Sequence, residues 1–353
     1  MAISNNKNKV KTMPKLADIA KMAGVSIPTV AKALHGTGGA NTRVSEKTAK
    51  KIKSIARQMG YRPNLIARQL AGKKSQIIGV IIDSYAPQVA FNRLAEMERQ
   101  AAKLGYRFMV GQSHGELDRI LEYIEDFDAR GVDGIICISH NYPAIAEQID
   151  EAIANTELKA LFIGRPADKS ANFSFVDIDI ADGIIQAISH LVNRGKSSIG
   201  IILPKSEYPN ITARYKGYIA GLNKNKLEYN EDLLADIPDT SIVKISSELI
   251  KPAIERLLAK QVDAIICSND RVAVHVIKLL MKMGIRIPDQ IAIVGYDNLE
   301  ICEMITPELT SIDQNPRELA RQAIDILIEQ IERSPTKPRH VTIKPNLIIR
   351  ETT

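Results

Sequence analysis

Between Leu16 and Leu34 the chain reads LADIAKMAGVSIPTVAKAL, apolar at helical spacing as far as Met22, broken at Gly24 and periodic again through Val30. That spacing predicts two short amphipathic helices joined by a turn of three or four residues, a helix-turn-helix. Ala20 is small where two helix axes must cross, and Gly24 supplies a left-handed stop. Ser26 stands at an N-cap position, two residues before a proline that a first helical turn accepts. Val30 plugs the space between the helices, and Ser26, Ile27, Pro28, Thr29 and Lys32 face outward. Taken alone, this pattern fits either a DNA-reading element or an ordinary pair of core helices. A third helix is predicted from Ser45, with an apolar stripe of Ile52, Ile55, Ala56 and Met59 that ends at Gly60. The stretch Tyr61–Ser75 then holds one short helical segment, Leu65–Ala71, between Pro63-Asn64 and Gly72. Such a short helix is marginal alone. It either folds on DNA beside a second copy or is a plain flexible linker.

From Gln76 onward the pattern changes. Apolar runs of four to seven residues alternate with helical periodicity: IIGVIID, YRFMVG, VDGIICIS and KALFIG, then a second series of SIGIILP, VDAIICSND and IAIVGYD. Short apolar runs between polar turns read as buried parallel strands, and the alternation as right-handed βαβ units. The two series echo each other, KSQIIGVIID against KSSIGIILP and GVDGIICIS against QVDAIICSND. Two similar α/β lobes imply a ligand cleft at the carboxyl ends of their strands. Polar residues at those ends are the candidates: Asp83, Arg165, Asn269, Asp270, Asp297 and Asn298. For Asp270 and Asp297, helix or turn capping stands as the alternative to ligand contact.

Charge changes the picture of the head. Residues 1–76 hold sixteen Lys or Arg and two acids, a balance of +14, so the rest of a chain of net charge +6 carries −8. A basic head on an acidic body is the electrostatic footprint of a nucleic-acid-binding module fused to something else. At 353 residues, 45% hydrophobic and 25% charged, the chain suits two or three globular domains. The N-terminal MAISNNKNKVKTM has no apolar core and is expected to be a disordered basic arm, not a signal peptide. No apolar run is long enough to span a bilayer. Cys137, Cys267 and Cys302 lie far apart and read as buried thiols. The six histidines are scattered without metal-ligand spacing, and no catalytic constellation, metal set or cofactor motif is present. An enzyme is not expected.

The order of these motifs, from LADIAKMAGVSIPTVAKAL through VSEKTAKKIKSIARQMGYRPNLIARQLAGKKSQIIGV, RGVDGIICIS, ARYKGYIAGL and IICSNDRVAVHVIKLLMKMGIRIPDQIAIVGYDN to ITPELTSIDQNP, resembles the lactose-repressor (LacI/GalR) family of transcription regulators. The resemblance covers the chain beyond the arm. It implies an all-α helix-turn-helix head plus an α/β bilobal periplasmic-binding-protein-like body of two doubly wound parallel-sheet lobes. The expected divisions are an arm over 1–13, the head over 14–62, a hinge over 63–75 and the body over 76–353. Within the body, one lobe is expected over about 76–176 and 306–336, the other over about 177–305 and 337–353.

By resemblance, Ile27, Pro28 and Lys32 read base edges, Ser26 and Thr29 grip the backbone, and Leu70 is a minor-groove wedge, with His35, Asn64 and Arg68 beside them. Arg214, Asp297 and the Asn269-Asp270 pair fall on effector contacts, as does Asp179, with Arg165 at a strand end. Tyr85, Gln88 and Phe91 are expected to line the pocket from the first lobe. Against the family pattern, Ala31-Lys32 stands for Ser-Arg, His35 for Asn, DSYAPQVAFNRL for the usual D-x-x-N-P-F-F, and Ile237 for a stacking aromatic. The implied protein is a cytoplasmic bacterial repressor, a homodimer on a pseudo-palindromic operator, controlled by a small carbohydrate-like effector without a cofactor. The alternatives are a regulator whose body binds a protein partner or nothing, and a solute-binding protein, which predicts a signal peptide and no basic head.

Overall fold

Small apolar side chains hold the head together. The computed structural model describes residues 14–35, 43–61, 73–84, 86–138, 146–164, 173–206, 208–238, 245–333 and 337–353, and the chain divides into units of 1–73 and 74–353. In the first unit α1 (Leu16–Ala23) opens with the Lys15 N–H donating to the Asp18 carboxylate at 2.7 Å and closes on Gly24 at φ 71°, ψ 36°. Lys51 donates its ammonium to the Ala23 carbonyl at 3.0 Å, placing a cation where the carbonyls of α1 are unpaired. Helix α2 (Ile27–His35) starts where Ser26 Oγ accepts from the Thr29 N–H at 3.4 Å. Helix α3 (Glu46–Gln58) starts at Ser45, whose Oγ accepts from the Thr48 N–H at 3.2 Å. Ile19, Ala20, Ala23, Val30, Ile52, Ile55 and Ala56 form one buried cluster between the three helices.

In the second unit the contiguous apolar runs become strands, because a strand covered on both faces has no polar side to show. The first sheet contains β1 (Ile77–Ile82), β2 (Arg107–Gln112), β3 (Gly134–Ile138), β4 (Lys159–Ile163), β5 (Ser174–Ile178) and β11 (His340–Ile343) in the order β11-β5-β4-β3-β1-β2, all parallel. Helices α4 (Gln88–Lys103) and α12 (Pro316–Arg333) cover one face, and α5 (Leu117–Ala129) and α6 (Ala146–Ala154) the other. The second sheet contains β6 (Ile199–Pro204), β7 (Leu234–Ile237), β8 (Ala264–Cys267), β9 (Ala292–Tyr296), β10 (Thr310–Asp313) and β12 (Asn346–Ile348) in the order β12-β10-β9-β8-β6-β7. It lies between α7 (Ile180–Asn193) and α8 (Pro209–Lys224) on one face and α9 (Ser247–Ala259) and α10 (Asp270–Lys282) on the other. A last short helix, α11 (Ile301–Met304), follows β9. Cys137, Cys267 and Cys302 are all buried and free.

Two details of the expected layout are corrected. Residues 306–336 do not all belong to the first lobe: β10 pairs in parallel with β9 of the second sheet, Thr310 opposite Val294. Residues 337–353 do not all belong to the second: β11 pairs with β5 of the first sheet, His340 opposite Phe175. The lobes are thus joined at three connections, after β5, after β10 and after β11. The second sheet is also not wholly parallel, since β12 runs antiparallel to β10. Strands of three or four residues give no periodic signal, so their partners were not readable from the pattern.

Helices α7 and α8 pack against each other closely enough to need glycine. A Cβ on Gly217 would stand 2.7 Å from both the Cα and the carbonyl oxygen of Ala181, which are backbone atoms that cannot turn aside. This close packing fixes the slope of α8, and with it the position of Arg214 one turn earlier.

Candidate functional site

On the head, the start of α2 is the exposed feature. Ser26, Ile27 and Pro28 are exposed, Thr29 and Lys32 half-buried, and Val30 fully buried beneath them. Ile27 leaves nearly half its surface in solvent, an apolar side chain with nothing of its own fold to cover it. Ser26 Oγ also shares a hydrogen bond with Thr29 Oγ1 at 2.8 Å, so both hydroxyls are held at the rim. His35 is placed differently from the expectation: its Nε2 is 3.1 Å from the Tyr61 hydroxyl, and its carbonyl accepts from the Lys73 ammonium. It joins the end of α2 to the rest of the head. Asn64, Arg68 and Leu70 lie outside the described residues.

In the body, the polar groups converge where β9 ends. Asp297 and Asn298 follow β9 with φ of 108° and 48°, a left-handed pair that non-glycine residues adopt only under constraint. The constraint is visible. Asp270, fully buried, accepts from the Leu299 N–H at 2.7 Å and from Ser311 Oγ at 2.5 Å, while Ser311 Oγ accepts from the Asn298 N–H at 3.1 Å. Gly295 is required here, because a Cβ would fall 2.3 Å from Asp270 Oδ1. Burial, together with the neighbouring Asp297, raises the Asp270 carboxyl above its ordinary range. Asp297 is raised as well, by burial, against the opposing pull of Arg214, Arg93 and a hydrogen bond from Gln314.

Arg214 comes from α8, only 6% exposed, with its guanidinium carbon 4.2 Å from the centre of the Tyr296 ring. Its Nη1 donates to the Asn210 carbonyl at 3.1 Å, while its Nε is buried with no partner. The Tyr296 hydroxyl is likewise buried and unpartnered, as are Ser268 Oγ at the end of β8 and Arg93 Nε on α4. Arg93 Nη2 donates to Gln314 Oε1, and Gln314 Nε2 donates to Asp297 Oδ1. A polar chain therefore runs from the first lobe through the connection after β10 to the second lobe. A cavity of about 450 Å³ opens beside it, lined among others by Val89, Asn92, Glu96, Asp297, Asn298 and Asn315.

Of the expected effector residues, Arg214 and Asp297 are brought together. Asp270 is internal, with both carboxylate oxygens taken by the protein's own donors, so it positions the turn that carries Asp297. Asn269 and Asp179 are helix caps: Asn269 Oδ1 accepts from the Val272 N–H at 3.0 Å, and Asp179 Oδ1 from the Asp182 N–H at 3.0 Å. Phe91 packs against the first lobe's core, and Ile237 is buried in the second. Tyr85 and Arg165 lie outside the described residues. Arg93, Gln314 and Tyr296 were missed. The signal for Arg93 was available: it stands three residues after Ala90 and four before Met97, a charge on a stripe that is otherwise buried.

Comparison with known proteins places this arrangement. Residues 15–64 match the family described as bacterial regulatory proteins, lacI family, and residues 188–353 match a periplasmic binding protein-like domain. The chain joins a lacI-family regulatory head to a periplasmic-binding-protein-like body. By that head it is a DNA-binding transcriptional regulator. It is 26% identical over 344 residues to the HTH-type transcriptional repressor PurR of Aliivibrio salmonicida, covering 96% of this chain and 98% of that protein. It is 27% identical over 345 residues to the PurR of Haemophilus influenzae strain PittEE, with the same coverage. Among solved structures, the Lac repressor dimer bound to operator and the anti-inducer ONPF superposes with a TM-score of 0.79 at 24% identity, covering 96% of this chain and 99% of that one. The complex of the regulator CelR with cellobiose gives 0.68 at 22% identity, covering 96% and 100%. No helix among the described residues is long and apolar enough to cross a membrane.

Proposed function

We propose that the chain is a repressor that works in the bacterial cytoplasm as a homodimer on a pseudo-palindromic operator and changes its DNA affinity when a small polar effector enters between its lobes. Residues 14–62 read DNA, residues 63–75 form the hinge, and residues 76–353 sense the effector and dimerise. The observation that carries this reading is the exposed start of α2, Ser26, Ile27 and Pro28, in an N-terminal region whose residues 1–76 carry a charge of +14. One three-helix head covers a half-site, so two copies are needed for a symmetric operator. Exposed apolar side chains on the body support a second copy: Val110 on the edge strand β2 is 46% exposed, and Met304 on α11 is 70% exposed. The repressor names of the similar PurR proteins support repression.

In this reading Ile27, Pro28 and Lys32 meet base edges, Ser26 and Thr29 meet phosphates, and His35 holds the end of α2. Asn64, Arg68 and Leu70 act in the hinge. Lys32 offers guanine a single point charge where arginine would offer a two-pronged contact, so the preferred operator differs from those read by the usual Ser-Arg pair. Arg214 and Asp297 are the effector's principal partners in the second lobe, on a turn positioned by Asp270. Asn269, Asp179 and Phe91 frame the cleft, and Tyr85 and Arg165 remain candidate effector contacts. The cellobiose bound by the structurally similar CelR supports a carbohydrate-like effector.

Leu70→Ala tests the hinge role. Specific operator binding should weaken by about 1–3 kcal/mol, the scale of one lost specific contact, while salt-dependent binding to random DNA stays the same. Fluorescence anisotropy on the two DNAs at several salt concentrations measures both, and equal losses on both would remove the wedge.

A further inference from the structure

The lobe junction holds buried hydrogen-bonding groups that nothing among the described residues satisfies. Arg93 Nε, Arg214 Nε and the Tyr296 hydroxyl are buried and have no partner, and each is a donor. Each acid nearby already accepts a hydrogen bond from the protein. Asp297 accepts from Gln314, Asp179 from the Asp182 backbone, and Asp177 from the Ile178 N–H at 2.8 Å. Neither arginine has a carboxylate within ion-pair distance among the described residues. Arg93 reaches only the Gln314 amide, and Arg214 reaches only a backbone carbonyl and the face of Tyr296. The two guanidinium groups nevertheless lie close enough to repel each other, and both lie close to Asp297. Buried cations are ordinarily paired, and leaving one unpaired is costly. Here two are held, one from each lobe, around one unfilled set of donors.

Resting on the effector reading above, we propose that the effector carries an acidic group, a carboxylate or a phosphate, which Arg93 of the first lobe and Arg214 of the second clamp together. A planar guanidinium fork suits either group. The anion supplies the acceptors that Nε of both arginines lacks, and Arg93 leaves Gln314 to reach it. Because Gln314 sits on a connection between the lobes and holds Asp297, the exchange of partners ties anion binding to lobe position. A neutral sugar offers hydroxyl acceptors but no charge, and leaves Asp297 as the carboxylate that both cations share.

The test uses the full-length protein and matched compounds: glucose, gluconate, glucuronate and glucose 6-phosphate, and galactose with its corresponding acid and phosphate. Inorganic phosphate and sulfate serve as bare anions. Thermal midpoint and isothermal titration calorimetry are read for the wild type, Arg93→Gln and Arg93→Lys, with circular dichroism to check folding. The expected result is that acids or phosphates bind at least about tenfold tighter than their neutral parents. The acid and phosphate arms show which source fits. Arg93→Gln should lose that preference, and Arg93→Lys should recover part of it. A neutral parent binding as tightly as its acid and phosphate overturns the charge assignment and leaves the effector reading standing. So does an unchanged preference in a folded Arg93→Gln protein. Equal binding of bare phosphate or sulfate overturns it too, by showing a general anion site. Failure of every compound, neutral and charged, counts against both readings.

Discussion

Replacing Arg214 with alanine is expected to leave operator binding intact and to abolish its response to effector. Arg214 is buried, holds its guanidinium over the Tyr296 ring and lies near Asp297 in the same lobe. Its contacts, the Tyr296 ring and the Asn210 carbonyl, all lie within the second lobe, far in sequence from the head that binds operator. Coupling between two sites is typically about 1–3 kcal/mol, so the wild type should shift its operator affinity about 5- to 150-fold when effector is added. In Arg214→Ala that shift should vanish. Anisotropy titrations of operator DNA, with and without the compound that raises the wild-type thermal midpoint, measure it directly. A full response in the variant would make Arg214 a packing residue.

The second large effect belongs to the head. Val30→Asp should destroy operator binding while the body keeps its own melting transition. Val30 is fully buried in a cluster of seven apolar residues, the core of the head among the described residues. Domains of that size have little stability in reserve. An unpaired carboxylate at its centre has no donor within the cluster, and its burial is among the changes that cost more than about 4 kcal/mol. Two transitions in calorimetry should therefore become one, and operator anisotropy should fall to the level of random DNA. Retained specific binding would mean that α2 is not held through Val30.

Much of this was legible in the chain. The helix-turn-helix could be read because its signals are local: Gly24 at positive φ, Ser26 at a helix start and Val30 one turn on are all within seven residues. The long strands could be read because β1, β3, β6 and β9 are unbroken apolar runs, buried over most or all of their length. The junction between the lobes was harder, since it depends on which sheet takes each short strand. The four residues of β10, TSID, and the four of β11, HVTI, are each too short to signal a sheet partner, and they sit in different sheets. The cleft suffered from the same non-locality. Asp270 looked like a ligand residue by motif, yet its two oxygens are used 29 and 41 residues away. Arg93 looked like a surface charge unless its neighbours Ala90 and Met97 were counted as core.

The claim that matters most is that one chain reads a defined DNA sequence and releases or tightens on it when a ligand fills the body. Selection from random duplexes with the purified protein, followed by anisotropy on the enriched sequence, tests it directly. The account predicts an enriched pseudo-palindrome, bound at physiological salt about 10³-fold or more tighter than random DNA. That affinity should change when a compound that stabilises the body is added. Enrichment of no sequence, or an affinity that ignores every stabilising compound, would contradict it.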